Sequence, residues 1–412
     1  MQTVIPPLEL PADWRADPPR SRTQTWKWWG NVLLTIVMFV LIAAATMRIT
    51  AMLMNKPVRF HPERLLSAIP MLIALVLAAA LMLTLHELGH VAGGLLAGWR
   101  LGSLFVGPLR LLRESDGLHV YWHRIFLMYG GAAIVVPRRW EPPAAQRGAR
   151  ILYVAGGPAT SILIGIGLLL ALHASGMHAR DVFRSDLGLV AVTAALASLG
   201  MGVGTLIPHR PGGGLRSDGL QLLTLLRASR APGGAWEPDP PTLHAIIQVQ
   251  LLQTRPRDWE PALIEQIARL PVVDRETLAY FRALDRGDAS AARDHLQRAL
   301  DAIATATTRT GRVQRRSLAF EAACFEAAWR CDADASRTWS DRGGSPRMVD
   351  EHGAHLAEAA RAVVAGDYAA AAAELDRATW AMRRTTLLRL DLLRAPTIDR
   401  VRERIAARAQ AV

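Results

Sequence analysis

The chain has 412 residues, enough for two or three domains, and 51% of them are apolar. Its formal net charge of +12 would suggest nucleic-acid binding in a soluble protein. Four long stretches contain no charged residue: 30–47, 65–85, 151–173 and 187–207. They exclude a soluble globular protein, and therefore also nucleic-acid binding as the explanation of the positive charge. Each is close to the ~20 residues that a helix needs to cross a bilayer. We therefore predict a multi-pass membrane protein that contacts lipid and no nucleic acid.

The basic residues predict which side of the membrane each segment faces. The segment between the second and third apolar runs is rich in arginine: Arg100, Arg110, Arg113, Arg124, Arg138, Arg139, Arg147 and Arg150. The other two connections carry fewer basic residues. Because basic loops stay on the cytoplasmic side, we expect the 100–150 segment and both termini in the cytoplasm, and the protein in the cytoplasmic membrane.

Along the chain, residues 1–28 are rich in Pro and Arg and predict a flexible cytoplasmic tail. The membrane domain is expected over 29–225, with about four transmembrane helices. Within it, two short β-prone stretches flank the turn residues 115–117, which predicts a hairpin over 107–122. The apolar piece 130–137 ends at a proline and is too short to span, so we expect it to dip into the membrane beside the helices.

The remainder of the chain has a different composition. Residues 226–241 are rich in Pro and Gly and predict a linker, and 242–412 is polar, Ala-rich and helical in pattern. A weak internal echo relates 287–299 to 366–378, with 331–339 as a degenerate third copy, as in tetratricopeptide repeats. An ordinary Ala-rich helical bundle explains the pattern equally well. The predicted fold is an all-α polytopic membrane protein with a small β-hairpin or re-entrant element and a C-terminal soluble α-helical domain, on which a cytoplasmic protein partner would dock.

A candidate chemical site lies at the end of the second apolar run. His86, Glu87 and His90 form the pattern H-E-x-x-H. Histidines four apart on a helix share one face and can bind one metal ion, and the adjacent glutamate is placed to act as a base. Ionisable groups are costly inside a membrane span, so a function explains these three residues better than packing does. Nitrogen and oxygen ligands at this spacing favour Zn²⁺.

Two histidines leave a hydrolytic zinc site one protein ligand short. The acidic residues near the spans are few: Glu63, Glu114, Asp116, Asp181, Asp186 and Asp218. We select Asp218, since it follows the fourth apolar run on the same predicted side as His90. The alternative role, which does not exclude the first, is a helix N-cap formed by Ser217 or Asp218.

With these motifs in view, the sequence resembles the site-2 proteases, which are intramembrane zinc metalloproteases, over about residues 65–225. The H-E-x-x-H motif is the first shared feature. The second is a Gly-Pro motif in the next helix, here Gly156, Gly157 and Pro158, where Ser161 occupies the place of the family's asparagine.

The third shared feature is an Asn-x-x-Pro element that leads to Asp-Gly. Thr205 stands at the asparagine place, followed by Pro208 and then by Asp218 and Gly219. Both family asparagines are thus replaced by hydroxyl residues, and ten positions instead of a few separate the proline from the aspartate.

The resemblance implies a fold, a cofactor and a reaction. Zn²⁺ would be bound by His86, His90 and Asp218, with Glu87 as general base in the cleavage of a transmembrane protein substrate. Gly156, Gly157 and Pro158 would support the substrate site, and the hydroxyls of Ser161 and Thr205 would bind the substrate backbone or simply pack between helices. An extended substrate segment would add as a strand to the 107–122 hairpin or to the 130–137 piece.

Two rival functions are open from the sequence. A catalytically weak or inactive homologue would bind membrane helices as a regulator; the hydroxyl replacements favour it and the intact Glu87 disfavours it. A transporter or metal channel would need further carboxylates in the spans or an internal repeat among them, and the sequence has neither.

Overall fold

The computed structural model describes residues 5–14, 69–114, 117–122, 131–139, 141–176, 185–209, 216–228, 246–247, 249–251, 253–346, 350–385 and 390–410. The apolar run 30–47, predicted as the first span, lies outside the described residues, as does most of the predicted linker. The described residues fall into two compact units. One unit contains residues 1–17, 83–160 and 204–412, and the other contains residues 18–82 and 161–203.

Among the described residues, three helices are long and apolar enough to cross a membrane. They are α1 (Ile69–Leu96), α2 (Arg147–Ala174) and α3 (Asp186–Leu206). Large apolar side chains stand on their surfaces: Leu77 is 64% exposed, Leu163 69% and Leu187 78%. Exposed leucines at this density suit hydrocarbon rather than water, because a soluble helix keeps its apolar face covered.

A four-stranded antiparallel sheet follows α1, with the order β3-β2-β1-β4. Its strands are β1 (Arg100–Val106), β2 (Leu109–Glu114), β3 (Gly117–Trp122) and β4 (Gly131–Val136). The predicted hairpin is present as β2 and β3. The piece 130–137 is not separate from the hairpin, because residues 131–136 form β4 and pair with β1; its expected position in the membrane stays a prediction. That pairing joins segments about 30 residues apart, which a local sequence pattern does not reveal.

The sheet packs on the last turns of α1 through a small apolar core. Val91 of α1 and Trp99 meet Leu104 of β1 and Ala133 and Val135 of β4. This cluster fixes β4 beside the part of α1 that carries the H-E-x-x-H motif.

After α3 come α4 (Asp218–Ala228) and a series of helices in the last 150 residues: α5 (Pro261–Ile267), α6 (Val272–Asp285), α7 (Ala289–Ile303), α8 (Arg309–Ala328), α9 (Ala333–Gly343), α10 (Glu351–Ala365), α11 (Tyr368–Thr385), α12 (Leu390–Leu393) and α13 (Ala395–Ala409). Helices α6 to α11 pack as three consecutive hairpins, α6 with α7, α8 with α9, and α10 with α11. One large apolar core runs through them.

The internal sequence echo falls on the turns inside these three hairpins. Gly287, Cys331 and Gly366 each have a positive φ, +79°, +60° and +78°. The aspartate that follows each of them accepts a backbone N–H of the second helix at 2.8–2.9 Å. A left-handed residue followed by an N-capping aspartate is a compact way to reverse a helix, which explains why Gly-Asp recurs.

Two further contacts hold the C-terminal helices in their unit. Residues 5–14 pack along α7 and α8, so this part of the predicted flexible tail is ordered against the helices. On the sheet, Arg384 at the end of α11 donates to the Trp122 carbonyl at 2.7 Å, and Arg110 donates to the Arg383 carbonyl at 2.9 Å. The outer strand β3 is therefore in contact with α11.

Candidate metal centre

The H-E-x-x-H motif occupies the C-terminal half of α1. Its side chains are buried, with 4% of His86, 7% of Glu87 and 7% of His90 exposed. One helical turn separates the two histidines, and their ring centroids lie 4.9 Å apart. Both imidazoles therefore project from one face of α1, as the spacing predicts.

Asp218, at the first position of α4, joins the two histidines. Its Oδ2 lies 3.5 Å from Nε2 of His86 and 3.6 Å from Nε2 of His90. Nitrogen and oxygen ligands about 2.0–2.2 Å from one tetrahedral zinc ion lie about 3.3 Å from one another. The three donor atoms, all within 4.8 Å of one another, thus have nearly the spacing of ligands around a shared cation. They are too far apart for good direct hydrogen bonds.

The charge state of Asp218 suits it to bind a cation. Burial raises the pKa of its carboxyl, but the imidazoles of His86 and His90 outweigh that effect and bring the pKa down to about 2. The side chain is therefore an anion at neutral pH, which is the form that a metal ion requires.

Ser217 provides the helix cap, and this leaves Asp218 free to face the histidines. The Ser217 hydroxyl accepts the Leu220 N–H at 3.3 Å and the His209 N–H at 3.0 Å, and donates to the Ile207 carbonyl at 2.8 Å. The Ser217 N–H donates to the His209 carbonyl at 3.1 Å. These bonds join the two ends of the extra loop between Pro208 and Asp218, so its added length does not displace the aspartate.

Gly219 is required by space rather than by backbone conformation. A β-carbon at this position would lie 1.8 Å from the Leu206 carbonyl oxygen at the end of α3. Gly219 is not among the glycines with positive φ, so a left-handed backbone is not the reason for it. The Asp-Gly pair thus lets α4 begin directly against the end of α3.

Tyr153 of α2 fixes the orientation of His90. The Nδ1 atom of His90 lies 2.9 Å from the Tyr153 carbonyl oxygen. A carbonyl only accepts, so Nδ1 carries the hydrogen, and in the neutral imidazole that binds a metal Nε2 is left with the lone pair on the side of Asp218. A second partner that fixes the tautomer is the usual arrangement behind a metal-binding histidine. The donor set and its support therefore fit Zn²⁺.

The Gly-Pro motif of α2 lies directly against α1. A β-carbon on Gly157 would lie 2.3 Å from Nε2 of His90, and one on Gly156 would lie 2.1 Å from the Gly89 carbonyl oxygen. Pro158 is buried inside the same helix. The two glycines thus allow α2 to approach the histidine-bearing face closely.

Glu87 faces β4. A β-carbon on Gly131 would lie 2.6 Å from Cγ of Glu87, and the Ala133 N–H donates to the Glu87 carboxylate. The Ala133 carbonyl accepts from the Tyr153 hydroxyl at 2.5 Å. Strand β4 is thereby held between the candidate base on α1 and the tyrosine that orients His90.

The remaining predicted residues lie elsewhere. Ser161 is buried in the other unit, where its carbonyl accepts from the Ser198 hydroxyl at 2.8 Å. Thr205 is half-buried, one position before the end of α3. Their role in substrate binding stays a prediction. His209, which directly follows Pro208, has its Nδ1 2.8 Å from the Ile207 carbonyl oxygen.

The comparison with protein families decides the classification. The model of peptidase family M50 matches residues 74–362, more than half of the chain. The chain belongs to peptidase family M50. Neither the curated proteins nor the solved structures yielded a match. M50 peptidases, the site-2 protease family, are membrane zinc metalloproteases, so the resemblance found in the motifs is confirmed. The match continues past the membrane helices into the first C-terminal hairpins, further than the motifs themselves reach.

Sequence reasoning missed Tyr153, Gly131 and Ala133. Tyr153 acts through its backbone carbonyl, which any residue would provide, and no pattern marks it. Gly131 did carry a signal, since it opens a β-branched stretch where only a very small residue fits beside Glu87.

Proposed function

We propose that this M50 peptidase is an intramembrane zinc-dependent endopeptidase that cleaves transmembrane segments of membrane proteins. The observation that carries the proposal is the convergence of Nε2 of His86, Nε2 of His90 and Oδ2 of Asp218, next to the carboxylate of Glu87. Metal-assisted peptide hydrolysis needs two imidazoles and one carboxylate that bind the metal, and a second carboxylate beside them that does not.

Each residue has a defined task. His86, His90 and Asp218 would hold the zinc ion, which when bound supplies Lewis-acid activation of a water molecule and of the scissile carbonyl. Glu87 would accept the proton of the attacking water on a carboxylate oxygen and pass it to the leaving amine nitrogen. Ala133 supports this task, because its N–H holds the carboxylate in place.

The substrate strand would bind at β4 rather than at the hairpin. A transmembrane helix seals its peptide bonds in intrahelical hydrogen bonds, so a segment must unwind before attack. Among the described residues β4 has a ladder partner on one side only, β1, and it lies beside Glu87. The other outer strand, β3, is contacted by Arg384 of α11. Addition of an unwound substrate segment to β4 would satisfy its backbone and bring it to the base.

The hydroxyls of Ser161 and Thr205 are assigned a supporting task. They would donate to the backbone carbonyls of the unwound segment, as the family's asparagine side chains are thought to do. A hydroxyl has one hydrogen where an amide has two, so fewer bonds are available to hold the substrate.

The direct contacts in one unit also bear on topology. Residues 5–14 contact the C-terminal helices, and two segments in contact lie on one side of a membrane. The chain must then cross an even number of times between them, while the described residues contain three candidate spans. The uncharged sequence 30–47 would supply the fourth crossing. The protein would then lie in the cytoplasmic membrane with both termini in the cytoplasm. Labelling of intact cells with a membrane-impermeant maleimide should then reach Asn55→Cys and not Ser21→Cys.

The decisive experiment compares Glu87→Gln with the wild type in detergent. Both should contain one zinc ion per chain, while cleavage of a synthetic membrane-spanning peptide should vanish in the variant. Glu265→Gln, at a glutamate 73% exposed, is the matched control and should cleave normally. Equal cleavage by wild type and Glu87→Gln would remove the assigned base and the proposal with it.

A further inference from the structure

The N-terminal residues 5–14 lie on the C-terminal helices in the manner of a bound peptide. We propose that the face of α7, α8 and α9 is a peptide-binding groove for an extended, proline-rich segment of a protein partner, and that residues 5–14 occupy it in cis. This inference names the chemistry of the partner expected for the C-terminal helices. It does not depend on the proposed protease activity.

The first supporting observation is a period of three in the segment IPPLELPADW. Ile5, Leu8 and Pro11 are buried or half-buried, and every residue between them is exposed. Pro11 to Trp14 then forms a turn, in which the Trp14 N–H donates to the Pro11 carbonyl at 3.0 Å and the half-buried Trp14 ends the segment. Three residues per turn is the period of the polyproline II helix, which presents one side chain in three to a binding surface. The three prolines of the segment favour that conformation before binding, which reduces the entropy lost on docking.

The second observation is that the groove contacts the main chain of the segment. Gln297 of α7 accepts the Glu9 N–H at 2.8 Å and donates to the Glu9 carbonyl at 2.9 Å. Glu326 of α8, which is fully buried, accepts the Leu8 N–H at 2.8 Å. A side-chain amide that pairs with both backbone groups of one residue recognises an extended chain regardless of its side chains.

Two arginines complete the main-chain contacts. Arg293 donates to the Pro7 carbonyl at 2.8 Å, and Arg330 donates to the Ile5 carbonyl at 3.0 Å. Arg330 also pairs with the second oxygen of Glu326. A proline-rich ligand offers more backbone carbonyl acceptors than N–H donors, so arginine donors suit it.

Two anchors give the groove its side-chain preference. Leu8 is 8% exposed and belongs to the main core of the helices. Trp14 packs edge-on against Trp339 of α9, with 5.5 Å between the ring centroids, and lies beneath the guanidinium of Arg315. The preferred partner therefore carries an aliphatic residue and, six positions later, an aromatic residue, with proline between or before them.

The segment reaches the groove from far away in sequence, since 318 positions separate Leu8 from Glu326. A tethered ligand of this kind competes with free ligands through a high effective concentration, so a partner would bind after the cis segment has been displaced. When the segment leaves, the buried Glu326 loses the N–H donor of Leu8, and a new extended backbone would restore it.

The test measures binding of a fluorescein-labelled synthetic peptide of residues 4–17 to the full-length protein in detergent, by fluorescence anisotropy. The release variant Leu8→Asp/Trp14→Ala alters only the segment and leaves the groove intact. We expect this variant to bind the peptide at least 10-fold more tightly than the wild type. Adding Gln297→Ala to the release variant should weaken binding at least 10-fold, and a peptide carrying the same two changes as the segment should not bind.

A second measurement covers the case in which the release variant loses its helical fold. A site for a sequence-specific protease is inserted after Asp17, and the cleaved segment is then exchanged against the labelled peptide. Exchange, with circular dichroism unchanged, supports a ligand groove. A segment that cannot be exchanged, or whose departure unfolds the helices, would show that residues 5–14 are a permanent part of the core and would overturn the proposal. Equal weak binding by a folded release variant and the wild type would do the same.

Discussion

Gly157 lies directly against the imidazole of His90: a β-carbon at position 157 would stand 2.3 Å from Nε2. The glycine of the Gly-Pro motif thus defines the space in which a candidate metal ligand sits. In most helix interiors alanine is preferred to glycine by about 0.5–1 kcal/mol. The presence of glycine instead of alanine at position 157 is therefore explained by the neighbouring imidazole of His90.

Gly157→Ala should therefore separate helix stability from metal binding. The added methyl group forces the His90 ring out of its present position, and we expect zinc affinity to fall about 10–100-fold, as for other disturbed ligand shells. Gly167→Ala in the same helix is the matched control, since nothing lies within 4 Å of a β-carbon there. Zinc content by mass spectrometry after dialysis against a weak chelator measures the effect. Normal zinc retention in Gly157→Ala would contradict the assignment of His90.

Asp218→Asn should remove the anionic ligand while preserving shape. The amide oxygen is a weaker and neutral donor, so zinc content and peptide cleavage should be lost together, whereas Glu87→Gln loses cleavage alone. Asp376→Asn, the same change at an exposed site on α11, should leave both unchanged. If zinc stays bound with wild-type affinity in Asp218→Asn, another residue is the third ligand.

Gly131→Ala should affect the base without affecting the metal. A β-carbon there would lie 2.6 Å from Cγ and 2.7 Å from Oε1 of Glu87, so the carboxylate must move. A positioned general base contributes about 10²–10⁴-fold to a rate, and we expect kcat to fall by roughly 10²-fold with zinc content unchanged. Gly148→Ala, where nothing lies within 4 Å, should have normal kcat. Loss of zinc in Gly131→Ala would mean that β4 supports the ligands instead.

The stability of the C-terminal helices should decrease on acidification because of His352 on α10. Its imidazole is 2% exposed, and neither nitrogen has a hydrogen-bond partner among the described residues. Burial, helped by the nearby His355, lowers its pKa to about 4. An unfolded histidine titrates near 6.5. Between these values the unfolded chain binds the extra proton, so the stabilisation is complete above about pH 6.5 and is lost as the pH falls toward 4.

Full loss corresponds to about 3 kcal/mol. Hydrogen exchange of α10 amides, corrected for the intrinsic pH dependence, measures the opening free energy at pH 7.5 and 5, with α3 amides as an internal reference. His352→Leu should reduce the pH dependence and be neutral or stabilising at pH 5, since no hydrogen bond to a described residue is lost. An unchanged pH dependence would assign the effect to other groups.

The parts of the site that sequence could predict are those that depend on local spacing. The 3.6 residues per turn of an α-helix place His86 beside His90, four positions on, and three of the four uncharged runs coincide with helices α1 to α3. Asp218 was selected by its side of the membrane and by resemblance, and it does lie beside the histidines.

The parts that sequence did not predict depend on contacts between distant segments. Strand β1 pairs with β4 across the whole hairpin, and the Tyr153 carbonyl meets His90 from another helix. The segment at Leu8 reads as a disordered tail because its three prolines and exposed charges cannot form a core alone. It becomes ordered only because α7 and α8 supply the apolar surface and the hydrogen-bond partners.

The separation of the donor residues along the chain has a consequence for biosynthesis. His86 and His90 emerge from the ribosome more than a hundred residues before Asp218. A nascent chain that has inserted only its first helices therefore has two of the three donors and cannot close the coordination sphere. On the proposed function, hydrolytic competence would then arise only after the last described span has been inserted and α4 has docked, and an unfinished chain would leave the helices assembling around it intact.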